Sequence, residues 1–331
     1  MEVDHLEDNC TAQNKPLYVF YSTVLFGEFI LALPLNASVI YLFIFKLKFW
    51  KTNASNIFLF NLVLADILLL FCLPVRAYNF QQGKRRSENE VVFRALLFIL
   101  FLNRGASIVF LTVVSAYRYL KVVHAGRNCT REIHKHSPLI AGLIWLVLLP
   151  LTIPMMLRPL SKSLCSDEDN VVDVFREIVF FTENLVPFVI LVLCTVGITT
   201  RLRQNTVGDQ TMLRRASFLV ASVILVFSLC FLPCTISRMV LLVVSRGSEF
   251  SPEAKDVALQ VYDGLKCLEY LELLLDPIVY CLSSTKFKSL YMETYLPFLL
   301  TKNKQDSSNN VPAAREAQAL QEEPTEESDD V

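Results

Sequence analysis

The sequence predicts an all-α membrane protein, a bundle of seven membrane-spanning helices followed by a short amphipathic eighth helix. Three observations carry this. Hydrophobic residues make up 53% of the 331-residue chain and mean hydropathy is +0.44, whereas a soluble domain is about 45–50% apolar even with glycine counted. Apolar stretches recur seven times, at about 17–45, 55–75, 91–117, 137–157, 178–200, 216–245 and 257–283, and roughly 20 such residues cross a ~30 Å hydrocarbon core. Charged residues are only 19% of the chain and fall largely between these stretches.

Backbone polar groups in lipid must be satisfied within the segment, so these stretches read as helices. The alternating ten-residue segments of a transmembrane barrel are not seen. The first stretch is too long for a secretory h-region and follows an acidic segment, so it reads as an uncleaved span. Lys and Arg number 14 in the odd connections and the start of the tail, against 9 in the N-terminus and the even connections. This bias predicts an extracellular N-terminus. The Asn9-Cys10-Thr11 sequon agrees, as glycosylation at Asn9 requires a lumenal face. The predicted organisation is an N-terminus over 1–16, a seven-span domain over 17–283, a membrane-surface helix over 284–296 and a disordered cytoplasmic tail over 297–331. In the surface helix Phe287, Leu290 and Tyr291 share one face. The tail is polar and acidic; phosphorylation of its Ser307, Ser308, Thr325 or Ser328 would add negative charge, with a merely solubilising tail as the alternative. A net charge of −1 gives no basic patch for nucleic acid.

Motifs narrow the class. The first span holds Asn36, the second Asn61, Ala65 and Asp66, the third Tyr117-Arg118-Tyr119, the fourth Trp145 and the fifth Pro187. The sixth holds Phe227, Cys230, Phe231 and Pro233, and the seventh Asp276-Pro277 and Tyr280, with Phe287 beyond. In this order and spacing the chain resembles a class A (rhodopsin-like) G-protein-coupled receptor from about 17 to 295. Leu102-Asn103-Arg104, Ser107 and Thr112, together with Trp50-Lys51, Cys72-Leu73-Pro74-Val75-Arg76, His124, Arg238 and Cys281-Leu282-Ser283-Ser284, resemble the hydroxycarboxylic acid and oxoeicosanoid receptor group. That resemblance implies a plasma-membrane receptor for a small carboxylic acid or oxidised fatty acid, acting through inhibitory G proteins. It implies no enzymatic activity.

Arg104 lies mid-span, where a charge is costly and faces a cavity or a partner. Its guanidinium can hold a carboxylate bidentately, and the resembled group anchors its ligand there. Arg76 and Arg238 make the outer cavity electropositive, and Tyr270 and Ser166 match further ligand contacts of that group. Alternatively the arginines pair internally with Glu183, Glu269 or Asp263, or snorkel to headgroups. Lys266, Glu269, Glu272 and Asp276 fall on one helical arc, so that arc faces the interior. By the resemblance, Asp66, Ser107 and Asp276 surround a sodium pocket, and Glu272 stands where Asn is usual. A sodium ion or proton is expected there; no other cofactor is.

Phe227, Phe231, Pro233, Pro277 and Tyr280 match activation switches of the family. Three departures stand out. Tyr117 replaces the acid that normally restrains Arg118, so the resting state is less favoured or another group holds Arg118. Phe93 replaces the cysteine at the outer end of the third helix, and the expected disulfide is Cys10 to Cys165, with two free thiols as the alternative. Leu35 replaces a glycine, and the first outer loop has no Trp. A G-protein-coupled receptor is therefore expected, with an atypical receptor of weak or constitutive coupling as the alternative. A transporter would show inverted repeats and broken helices.

Overall fold

The computed structural model describes residues 14–49, 53–85, 87–123, 127–157, 171–204, 210–247 and 249–295. Residues 1–13 of the N-terminal segment, most of the connection between the fourth and fifth spans, and the tail lie outside these residues. With them lie Asn9, Cys10, Cys165 and Ser166.

The described residues form a seven-helix bundle. Helix α1 runs Lys15–Tyr41 and continues as a π-helical turn, Leu42–Leu47. Then come α2 (Ala54–Gln81), α3 (Glu90–Val123), α4 (Arg127–Leu157) and α5 (Val171–Gln204). Helix α6 comprises Gln210–Cys230 and Leu232–Arg246, α7 comprises Pro252–Glu269 and Glu272–Ser283, and α8 is Thr285–Tyr295. The end of the bundle that holds Lys15 is called upper, the other lower.

Local chemistry explains the boundaries. Asn14 caps α1, its side chain accepting from the amide of Leu17, with Pro16 in the first turn, where a missing N–H costs nothing. Ser251 caps α7, accepting from the amide of Ala254 at 3.2 Å, with Pro252 next. The seventh helix therefore starts five residues before the apolar stretch that announced it. Proline 233 cannot donate, and α6 bends at Phe231, just ahead of it. Helix α7 breaks at Tyr270 and Leu271, where Tyr270, Leu271 and Leu273 donate three residues back and tighten the turn.

Among the described residues six helices are long and apolar enough to cross a membrane. The seventh is split and charged, yet Pro252 to Ser283 rises roughly 45 Å at about 1.5 Å per residue, enough to span. Helix α3 is central, packing on α2, α4, α5 and α6. Its most apolar stretch is 72% buried, against 22% for α4 at the periphery. Phe45, Phe71, Leu146, Leu193 and Phe218 are each more than 60% exposed. Asp66, Asn103, Arg104, Glu269, Glu272 and Asp276 are buried. Apolar outside and polar inside is the arrangement lipid selects.

The cysteines at 72, 194, 230, 234, 267 and 281 are free thiols, buried except for half-buried Cys281, and pack as apolar groups. At the lower end Phe287 of α8 is buried against Phe43, with centroids 5.0 Å apart, and against Tyr280 at 6.3 Å. Gly197 of α5 lies against the ring of Tyr119, and a Cβ there would stand 2.3 Å from that ring. This closeness binds α3 to α5.

Candidate functional site

The upper half of the bundle brings together four cations, one each from α2, α3, α6 and α7. Arg104 of α3 is buried. It forms an ion pair with Glu269 of α7 and donates to Asn184 of α5 at 2.8 Å and to Thr235 of α6 at 3.1 Å. One arginine thus ties four helices together, and its Nε is buried without an acceptor. Arg238 of α6, 1% exposed, binds Glu177 of α5 bidentately, at 2.9 and 2.8 Å. Both guanidiniums lie over the ring of Phe180, at 4.1 Å for Arg104 and 4.0 Å for Arg238, a cation–π arrangement.

The other two cations lie over aromatic rings. Arg76 lies over Phe80 at 5.0 Å and Tyr270 at 5.9 Å. Lys266, buried on α7, lies over Phe101 at 5.3 Å and Tyr262 at 5.6 Å. Arg76 and Tyr270 line a cleft between α2, α3 and α7 together with Arg85, Phe93 and Leu97. The hydroxyl of Tyr270 is buried with no hydrogen-bond partner. At the rim Arg85 donates to the hydroxyl of Tyr18 at 2.6 Å, and that hydroxyl donates to Asp263 at 2.7 Å. Arg85 also pairs with Asp263 at 3.3 Å and Asp256 at 3.4 Å.

Three of the ligand residues expected from sequence, Arg76, Arg104 and Tyr270, thus gather in the upper half. Arg238 joins them from α6. The internal pairing held open for the arginines occurs for Arg104, with Glu269. Asp263 instead pairs with Arg85. Sequence reasoning missed Glu177, Phe180, Asn184, Thr235 and Arg85. Glu177, Phe180 and Asn184 are spaced three and four apart and so share one face of α5; that spacing was the available signal.

Below this chamber Phe231 lies 5.9 Å from the Arg104 guanidinium, and its ring meets Phe227 at 5.4 Å, which stacks on Phe188 at 5.4 Å. The bend of α6 at Phe231 and Pro233 therefore begins directly beneath Arg104.

Deeper still, Asp66 accepts from Asn103 at 3.4 Å and from the hydroxyl of Tyr280 at 3.0 Å. Glu272 and Asp276 of α7 are buried as well. Both carboxylate oxygens of Asp276, one of Glu272 and the hydroxyl of Ser107 are buried without partners. Such orphaned oxygens fit a bound cation or protons. Among the described residues no three His, Cys, Asp or Glu side chains converge as a metal site, so a sodium ion there would also rest on Ser107.

At the lower end Tyr117 is buried in the apolar core. Arg118 donates to the backbone carbonyl of Ser283 and, at 3.2 Å, to its hydroxyl. Ser283 is the last residue of α7, whose terminal carbonyls lack intrahelical donors and favour a cation. The end of α7 thus engages Arg118 directly.

The 7 transmembrane receptor (rhodopsin family) profile matches residues 35–280. The chain is similar to Hydroxycarboxylic acid receptor 2 of Homo sapiens, 30% identical over 309 residues, covering 88% of this chain and 84% of that protein. It is similar to the 12-(S)-hydroxy-5,8,10,14-eicosatetraenoic acid receptor of Mus musculus, 32% identical over 295 residues, covering 86% and 91%. Oxoeicosanoid receptor 1 of Homo sapiens is 29% identical over 273 residues, covering 81% and 70%.

Proposed function

Because the chain belongs to the rhodopsin family of seven-transmembrane receptors, we propose that it is a plasma-membrane receptor for a small carboxylic acid or an oxidised fatty acid, with its upper end outside the cell and an inhibitory G protein as its partner within. The observation that carries this reading is the gathering of Arg76, Arg104, Arg238 and Lys266 in the upper half of one bundle. Buried cations in a membrane protein mark an anionic partner, and the names of the relatives are those of acid receptors.

The ligand carboxylate exchanges for Glu269 at Arg104, with Tyr270 donating to it. Arg238 and Ser166 contact the rest of the ligand. Exchange at Arg104 disturbs its bonds to Asn184 and Thr235 and the contact with Phe231 beneath. Helix α6 then swings about Phe231 and Pro233, and the lower ends of α3, α5 and α6 open around Arg118. The agonist acts by binding the open arrangement more tightly than the closed one. A sodium ion or proton among Asp66, Ser107, Glu272 and Asp276 biases the closed arrangement, with Pro277 and Tyr280 transmitting it along α7. Arrestin and receptor kinases act on the serines and threonines of the tail. A disulfide between Cys10 and Cys165 and a glycan on Asn9 belong to the extracellular face.

A second reading, a receptor with weak or constitutive G-protein coupling, is favoured by Tyr117 in place of the acid beside Arg118. A cAMP-inhibition screen with carboxylates of rising chain length, repeated on Arg104→Ala, tests the first reading. G-protein dissociation in the same cells separates the two: acid-driven dissociation supports the first, and binding without dissociation supports the second.

A further inference from the structure

Two cations of the upper chamber, Arg76 and Lys266, stand outside its ion pairs among the described residues. Glu269 is committed to Arg104, Glu177 to Arg238, and Asp263 to Arg85 and Tyr18. Glu183 lies on the α5 side of α3, against Gly105. Among the described residues no carboxylate stands within ion-pair distance of Arg76 or Lys266, whose contacts are with ring faces. An uncompensated buried cation is expensive, and a ring face offsets only part of that cost.

The two cations flank one face of α3. Leu97, Phe101 and Arg104 follow at intervals of four and three, so they form a row along one face of α3. Leu97 lines the cleft with Arg76 and Tyr270, Phe101 carries the Lys266 ammonium, and Arg104 ends the row. On α7, Tyr270 follows Lys266 by one turn, and its hydroxyl is buried, 2% exposed as a residue, with nothing to bond. Nε of Arg76 and the hydroxyl of Tyr270 are thus both buried without a partner, and the Lys266 ammonium meets ring faces.

We infer that Lys266 and Arg76 form a second acid-binding position, so that the preferred ligand carries two acidic groups, one for this position and one for Arg104. The inference rests on the acid-receptor reading and narrows its ligand class to diacids.

The test is thermal unfolding of the purified full-length receptor, titrated with matched pairs of equal chain length: hexanoate against adipate, and octanoate against suberate. In the wild type the diacid half-saturates at a concentration about tenfold or more below its monoacid, as one added charge-assisted contact predicts. The advantage, read as the ratio of monoacid to diacid half-saturation within each variant, disappears in Lys266→Met and returns in Lys266→Arg. If Lys266→Met does not fold, Arg76→Leu serves in its place. Equal half-saturation by monoacid and diacid in the wild type overturns the inference, as does a diacid advantage that survives Lys266→Met, or diacids that bind nowhere. The acid-receptor reading is scored separately by cAMP. Monoacids that signal with no diacid advantage sink only the second position. Diacids that bind with no cAMP response of any kind sink the signalling reading and leave the second position standing.

Discussion

Arg104 and Glu269 form an ion pair between α3 and α7 at the floor of the upper chamber, and Phe231, where α6 bends, lies directly beneath it. The pair places a protein carboxylate where a ligand carboxylate is proposed to bind. Glu269 then competes with the agonist, and its departure is part of activation.

Removing that competitor should strengthen agonists. In Glu269→Gln the potency of an activating monocarboxylate rises about tenfold, corresponding to about 1.4 kcal/mol. Surface expression falls, because Arg104 is left without its counter-charge in the apo state. Concentration–response curves at matched expression check this; lower potency in Glu269→Gln would count against competition.

The Arg238–Glu177 pair makes a prediction about stability alone. Arg238 is 1% exposed and its partner's side chain 13%. Arg238→Met leaves a carboxylate in a dry site and should cost about 3–5 kcal/mol. Adding Glu177→Gln should recover most of that loss. Thermal unfolding of the single and double variants measures the coupling directly.

At the lower end Arg118 is held by the carbonyl and hydroxyl of Ser283. The helix terminus supplies only a partial charge, weaker than the carboxylate it replaces. Basal signalling should therefore be appreciable in the wild type and fall in Tyr117→Asp, where an acid again restrains Arg118. Agonist-free G-protein dissociation reads this, and equal basal activity in the two would contradict it.

The orphaned oxygens of Ser107, Glu272 and Asp276 predict sensitivity to cations. Replacing sodium by choline, or changing pH, should shift agonist potency several-fold in the wild type and little in Glu272→Gln. Identical shifts in both proteins would exclude a role for Glu272.

The spans were legible in sequence because lipid imposes a length and a polarity on each one. The burial of Arg104, Glu272 and Asp276 was legible for the same reason, since a charge at that depth must face inward. Pairing was less legible. Arg238 meets Glu177 across 61 positions and Arg104 meets Glu269 across 165, and nothing local to either arginine selects its acid. Arg85 was overlooked because it sits in a loop, where cations are ordinary; only the fold brings it to Tyr18 and Asp263. The seventh helix was located but not its break at Tyr270, which arises from backbone bonds three residues back and carries no proline. The holder of Arg118 was invisible because it is a carbonyl, which every residue has.

The central claim is that this bundle answers to a carboxylate held at Arg104. Its most direct test is inhibition of cAMP by the most potent acid of the chain-length series, compared between wild type and Arg104→Ala at equal surface expression. Loss of the charge-assisted pair predicts a fall in potency of about a hundredfold, on the order of 3 kcal/mol. Unchanged potency in Arg104→Ala would place the acid elsewhere and contradict the account.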